Sequence, residues 1–212
     1  MRDILDELTA VHRELGRGAL PAGEAHLVVL RRRYPADIED VWDAITTAER
    51  LRRWFLPVTG ELRLGGRYQL EGNAGGEVLA CEPPRRLRVS WLFGPAAQEG
   101  TSEVEVTLTE PEAGHTDLEL VHAAVVEEEF FPTYGPGATG VGWDLGLLSL
   151  GRHLAGDDLG DPAAFEGSPE ARELSRRSAA AWGEAHLAAG GDPAAVAAAV
   201  QATTQFYVPD QQ

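Results

Sequence analysis

Lysine is missing altogether from this chain of 212 residues, in which all 18 basic positions are arginine. The absence excludes Schiff-base chemistry, a lysine general base and the phosphate-binding lysine of a P-loop. Cysteine is nearly as scarce: Cys81 stands alone, which excludes an internal disulfide and a cysteine-rich zinc site. Positive charge as a whole is short. Against the arginines stand 34 acidic residues, for a formal net charge of −16, a balance that repels the phosphate backbone of nucleic acid and an anionic membrane surface. No apolar run approaches the ~20 residues of a membrane span. The opening residues 1–15 are amphipathic and too acidic for a secretory signal. The expectation is a cytoplasmic protein with neither nucleic acid nor membrane as partner, and with no metal or cofactor.

What is present suits a globular fold, with 43% hydrophobic and 25% charged residues. Ile4, Leu8, Val11 and Leu15 recur at helical spacing, and Gly16 and Gly18 end the pattern, which predicts a helix over residues 3–17. "AHLVVLRRRYP" reads as a strand. "ADIEDVWDAI" follows as a short helix with Asp37 at its N-cap. Thr46 and Glu49 have the spacing of a capping box opening a second short helix, "AERLRRWF". Between residues 60 and 123 the period changes to two. "RYQLEG", "GGEVLACE", "RLRVSWLF", "SEVEVTLTE" and "HTDLELVHA" are five strands whose short separators permit only antiparallel neighbours.

Gly135, Gly137 and Gly140 spell G-x-G-x-x-G, a spacing used to cradle a dinucleotide pyrophosphate. The fingerprint requires a strand before it and a helix after it in a parallel unit. Here an antiparallel meander and the poor strand "EEEFFPTY" precede it, and Pro136 removes a backbone donor. It reads instead as a flexible lead-in to the helix "VGWDLGLLSLGRHL", which carries Trp143, Leu147, Leu150 and Leu154 on one stripe. After Gly156, "GDDLGDPAAFEG" is a polar linker. Ser168-Pro169 and Asp192-Pro193 then mark the N-termini of two Ala-rich helices, read as a docked hairpin or as a contact between two copies in a homodimer.

The words "YPADIEDVWDAITTAERLRRWFLP", "LRLGGRYQLEG", "GEVLACEPPRRLRVSW", "TDLELVHAAV" and "GVGWDLGLLSLGRHL" resemble the bacterial branch related to the activator of the Hsp-90 ATPase. That branch lies within the START/SRPBCC superfamily, and the resemblance covers roughly residues 26–155. It implies an α+β helix-grip (START-like) fold: a curved antiparallel sheet wrapped around the long C-terminal helix, with an elongated cavity between them. Residues 1–25 are then an N-terminal helical extension, 26–155 the helix-grip domain and 156–212 a C-terminal helical extension.

Strand parity assigns the cavity lining. Leu87, Val89, Trp91 and Phe93 share a face, as do Val104, Val106 and Leu108, and as do Leu118, Leu120 and His122. Trp54, Phe55 and Tyr68 close one end, and Trp143 and Leu147 descend from the helix. The ligand-binding set is therefore Trp54, Phe55, Tyr68, Trp91, Leu108, Leu120, His122, Trp143 and Leu147, suited to an apolar small molecule. His122 is the sharpest chemical candidate, either an acid–base group in the cavity or a buried neutral ring satisfied by its neighbours. Arg31 and Arg33 are the other polar groups offered to the pocket.

His153 and Asp157 have a metal-compatible i, i+4 spacing without a third ligand, and a charged histidine at a helix C-terminus explains His153 more simply. The Glu127–Glu128–Glu129 run reads as a solvated loop. Ser149 lacks a nucleophile motif, Cys81 reads as a small buried hydrophobe, and Gly65-Gly66 and Gly75-Gly76 as hairpin and bulge glycines. Three functions follow in order of preference: a small-molecule binding module without chemistry, a cyclase- or hydrolase-like enzyme using His122, and a chaperone-ATPase activator.

Overall fold

The computed structural model describes residues 4–94, 97–125, 130–157, 165 and 168–209. Eight strands form one antiparallel sheet: β1 His12–Leu20, β2 Gly23–Tyr34, β3 Val58–Gly60, β4 Arg67–Leu70, β5 Gly75–Glu82, β6 Arg86–Ser90, β7 Ser102–Glu112 and β8 His115–Ala124. Their spatial order is β1-β2-β8-β7-β6-β5-β4-β3. The last strand of the meander thus returns beside β2, and the short helices α2 Ile38–Thr46 and α3 Ala48–Trp54 connect β2 to the far edge. The long helix α5, Gly137–Leu154, follows the short α4, Phe130–Tyr134. Its Leu147 and Leu150 share one core with Leu30 of β2, Leu108 of β7 and Leu118 and Leu120 of β8. The fold is α+β helix-grip, as the sequence words implied. All five strands read between residues 60 and 123 are present.

The N-terminus departs from its expected helix. Only α1, Ile4–Thr9, is helical, and from His12 onward the chain is a strand paired with β2 over nine residues. Tertiary pairing overrides the helical spacing of Val11 and Leu15. The two glycines that should have ended a helix have a strand role instead. A Cβ at Gly16 or Gly18 would stand 3.3 or 3.2 Å from the side chain of Leu27, which lies across them. The sheet therefore begins well before residue 26.

The capping box is also displaced. Thr47 is the N-cap of α3 and makes no side-chain cap bond. Its hydroxyl donates to the Asp43 carboxylate at 2.6 Å, while that of Thr46 donates to the Trp42 carbonyl at 2.7 Å. Both hydroxyls turn back onto α2, so neither is available to the amides of α3.

Both expected caps in the tail are formed. Ser168 Oγ accepts from the Ala171 amide at 3.0 Å and opens α6, Pro169–Ala188; Asp192 Oδ1 accepts from the Ala195 amide at 2.9 Å and opens α7, Pro193–Tyr207. This hairpin docks on its own chain. Trp182 of α6 is fully buried, and α6 packs on α5 and β1. Most of the expected linker, and the Glu127–Glu128–Glu129 run, lie outside the described residues.

The docking explains G-x-G-x-x-G. The segment follows α4, not a strand, and α5 starts at Gly137, four residues earlier than the apolar stripe suggested. Gly135 ends α4 with φ +57°, a conformation open to glycine. A Cβ at Gly137 would sit 2.8 Å from Thr203 Oγ1, and one at Gly140 only 2.2 Å from the Trp182 indole. These glycines let the C-terminal hairpin lie directly on the helix backbone. The close partner is protein.

Candidate functional site

Between the sheet, α2–α3 and α5 lies a pocket of about 140 Å3 with an almost wholly apolar wall. Alternation along the strands sends Tyr68, Val78, Val89, Val104, Leu118 and Leu120 into it, and α5 supplies Trp143, Gly146, Leu147 and Leu150. Leu62, 40% exposed, stands among the lining residues toward solvent. Aromatic rings dominate one side. Phe55 and Trp143 stack with centroids 6.2 Å apart and planes 17° apart, and Trp91 lies 5.0 Å from Trp143. Offset arrangements of this kind hold rings in place beyond their apolar burial.

Seven of the nine expected residues line the pocket: Trp54, Phe55, Tyr68, Trp91, Leu120, Trp143 and Leu147. Leu108 and His122 do not. Leu108 has the right parity but is completely enclosed in the core. Phe93, on the same expected face as Trp91, is 66% exposed, because β6 ends at Ser90 and alternation ends with it. Ile45, Thr46, Leu51, Val58, Leu70 and Cys81 also line it without having been singled out for it. The amphipathic pattern of "DVWDAI" could have found Ile45. Gly146 offered no signal, since its place is defined only when α5 lies over the sheet.

His122 sits behind the aromatic wall. Trp143 Nε1 donates to its Nδ1 at 3.0 Å, and its Nε2 lies 2.9 Å from Ser102 Oγ. The indole N–H can only donate, so Nδ1 is the acceptor and the neutral ring carries its proton on Nε2, donated to Ser102. Burial pushes the His122 pKa down to about 4. Part of the residue's surface remains accessible, yet the ring is surrounded closely enough by protein for desolvation to dominate.

A histidine that charges at pH 6.5 in the unfolded chain but near 4 in the fold binds fewer protons when folded. Its stabilising effect is complete above pH 6.5 and is lost as the pH falls from 6.5 toward 4. The contribution is about 3 kcal/mol. Burial also lowers the pKa of His26, His153 and His186, so their effects have the same sign. The expected result for His122 is direct: its imidazole 15N signals keep the neutral Nε2–H pattern at pH 5.5. A charged ring at that pH contradicts the buried geometry.

Other candidates are placed elsewhere. Arg31 and Arg33 point outward to Glu14 and Glu119 and to Asp117, whereas Arg32 is the buried one. Parity requires this, because Leu30, Arg32 and Tyr34 share the inner face. Arg32 pairs with Glu7 of α1 and donates to the Leu147 carbonyl at 3.1 Å, alongside Tyr34 Oη at 2.9 Å. His153 accepts from Arg50 Nε at 3.1 Å, and burial followed by the nearby charges of Arg50 and Arg53 holds its pKa down. It is therefore not the charged helix-end histidine expected. Asp157 faces Arg152 at 3.4 Å. Gly65 has the positive φ of a turn, at +74°, but Gly75 and Gly76 do not. Those two are needed for close approach, since a Cβ at Gly76 would lie 2.2 Å from the Ser90 carbonyl oxygen. Cys81 is half-buried in the pocket wall.

Asp144, which the sequence reading passed over, organises the other side of α5. It accepts from Arg13 Nε and Nη2 at 3.0 and 2.9 Å, from Trp182 Nε1 at 3.0 Å and from Ser178 Oγ. One carboxylate thus ties β1, α5 and α6 together, and α5 is buried on two faces. That is why a single apolar stripe described only half of its packing.

An antiparallel sheet gripping one long helix over an apolar pocket defines a protein of the SRPBCC type. The profile of the family described as Activator of Hsp90 ATPase homolog 1-like protein matches residues 35–155, and the chain belongs to that family. It is similar to CalU16 from Micromonospora echinospora, whose crystal structure is 40% identical, with 83% of this chain and 98% of that one covered and a TM-score of 0.66. The solution structure of CalU16 superposes with a TM-score of 0.69 at 42% identity, covering 86% of this chain and 97% of that one. MLL2253 from Mesorhizobium loti is 26% identical over 63% of this chain and 99% of its own, with a TM-score of 0.53. PFC0360w, an HSP90 activator from Plasmodium falciparum, shares the fold at 22% identity and a TM-score of 0.50, covering 61% of this chain and 96% of that one. No curated protein sequence matches significantly. Among the described residues, no helix is long and apolar enough to cross a membrane.

Proposed function

We propose that the protein is a cytoplasmic binding module that holds an apolar, ring-bearing small molecule between sheet and helix and performs no chemistry on it. One observation carries this reading: most of the polar side-chain atoms around the pocket already have partners within the protein. Trp54 Nε1 donates to the Ala44 carbonyl, Tyr68 Oη to the Ser90 carbonyl, Trp143 Nε1 to His122 and Thr46 Oγ1 to the Trp42 carbonyl. A ligand there meets aliphatic surface and aromatic faces, with the Cys81 thiol and the Trp91 indole N–H as the exceptions. A cavity of about 150 Å3 lined by apolar groups accommodates a benzene-sized molecule, so the pocket suits one ring of a larger ligand.

The enzyme reading is weaker for a specific reason. The tautomer set by Trp143 makes His122 a donor to Ser102, the opposite of what a general base needs. The family's name supplies the chaperone reading, and no feature of the pocket calls for it.

A neutral solvatochromic dye such as Nile red tests the proposal. It should bind the wild type with blue-shifted emission and quench the tryptophans around the pocket. Gly146→Leu should abolish this binding while the protein stays folded, because a Cβ at Gly146 meets nothing nearer than the Phe55 ring at 3.8 Å and points into the pocket. Leu120→Trp should displace the dye as well. Dye binding that survives both changes would remove the proposed site.

A further inference from the structure

A second depression, of about 240 Å3, lies between the β1–β2 hairpin, α4 and the end of α6, and its walls carry Arg17, His26 and His186. Arg17 and His26 are direct cross-strand partners, so their side chains leave the same face of the sheet. His186 arrives from the last turn of α6. The ring of Phe131 lies between the two imidazoles, its centroid 4.0 Å from that of His26 and 5.5 Å from that of His186. Gly191 closes the wall, since a Cβ there would stand 2.7 Å from His186 Cδ2. The rings are held by packing and not by polar partners.

The charge of this depression runs against the rest of the molecule. In a chain of net charge −16, most described arginines are paired with a carboxylate, but Arg17 forms no ion pair among the described residues. His186 Nδ1 is enclosed without a hydrogen-bond partner but faces Gly135, outside the depression, whereas its Cδ2 edge faces Gly191 in the wall. After burial, the charges that act on His26 are Arg17 and His186, both positive, and no carboxylate among the described residues offsets them. The carbonyls of His186 and Leu187, which would oppose an anion, are taken by the amides of Gly191 and Gly190 at 3.0 and 2.9 Å.

We propose that this depression binds a compact oxyanion, a phosphate or carboxylate group, among Arg17, His26 and His186. The planar guanidinium at the exposed rim presents paired N–H donors matched to such a group, and each imidazole adds a donor when protonated. A divalent cation would meet Arg17 as a like charge, which favours the anion. Among the described residues, the charged and titratable groups facing the depression are Arg17 from β1, His26 from β2 and His186 from α6. The α4 side and the α6–α7 turn contribute Phe131, Ala189, Gly190 and Gly191, which do not titrate. A bound anion stabilises the protonated imidazoles, so it raises the pKa of both; because burial holds both below the ordinary histidine value, binding tightens as the pH falls through and below about 6.5.

The test uses the full chain with 15N-labelled histidine. Sodium phosphate and, separately, sodium acetate are titrated at pH 6.5 against sodium chloride of matched ionic strength. The His26 and His186 resonances are expected to shift saturably with phosphate or acetate and not with chloride, while those of His122 stay in place. The oxyanion that saturates identifies the source of the group. Arg17→Gln, at an exposed position, should weaken the response by about tenfold or more, and His186→Gln should weaken it independently. The proposal is overturned if neither oxyanion produces a saturable shift, if chloride reproduces it, or if both variants bind as the wild type does.

Discussion

Asp144→Ala should lower the unfolding free energy by about 3–5 kcal/mol, the usual loss when one partner of a buried ion pair is removed. The carboxylate is 1% exposed and Arg13 9%, so water cannot replace what is lost. Without Asp144 the Arg13 cation keeps only the Val11 and Leu8 carbonyls, at 3.0 and 3.1 Å, and the Trp182 N–H and Ser178 hydroxyl lose their acceptor. For a chain of this size the loss corresponds to a fall in melting temperature of about 6–20 °C. The double change Arg13→Met with Asp144→Leu should recover only part of it, because apolar groups of similar volume need no counter-charge but the buried Trp182 N–H and Ser178 hydroxyl still lack an acceptor. Urea unfolding of the three proteins decides the matter. A loss below about 1 kcal/mol for Asp144→Ala would mean that the network does not hold β1 and α6 to the helix.

The second large effect is a contrast between two glycines of one helix. Gly140→Ala should destabilise by about 3–5 kcal/mol, the sum of overpacking and a lost hydrogen bond to a charged acceptor. Its Cβ would lie 2.2 Å from the indole of Trp182, and that ring is fully buried with its N–H on Asp144. It has nowhere to move. Gly146→Ala should instead stabilise by about 0.5–1 kcal/mol, through helix propensity alone, because its Cβ meets only ordinary contact with Phe55 at 3.8 Å. Melting temperatures should therefore move in opposite directions. Equal shifts would contradict the account of which side of α5 faces the hairpin and which faces the pocket.

The elements whose partners are close in sequence were legible in advance. The five strands between residues 60 and 123 alternate cleanly and are separated by turn residues, and both tail helices announce themselves by Ser168-Pro169 and Asp192-Pro193. The aromatic wall was equally readable, since strand parity and helix spacing place Trp91, Leu120, Trp143 and Leu147 without further information. Failures came where a distant partner decides. Residues 12–17 follow helical spacing but pair with β2. The cap failed for a local reason instead: Thr46 and Thr47 have the composition of a cap, but their hydroxyls bond back onto the preceding turn of α2.

His122 shows the same limit at the site. Its parity points it inward, correctly, but Trp143 arrives from α5 and stands between the ring and the pocket, taking Nδ1 and settling the tautomer. Composition and periodicity determined the antiparallel order of the meander, the apolar face of each strand and the exclusion of lysine chemistry, because each depends on residue type and local spacing; the helix-grip fold and its cavity were implied by the family resemblance of the sequence words. Only the tertiary structure decided that Asp144 is a hub, that Gly137 and Gly140 admit protein side chains, and that Arg17, His26 and His186 face one another. Those properties depend on which surfaces meet between segments far apart in the chain, and local spacing carries no information about that.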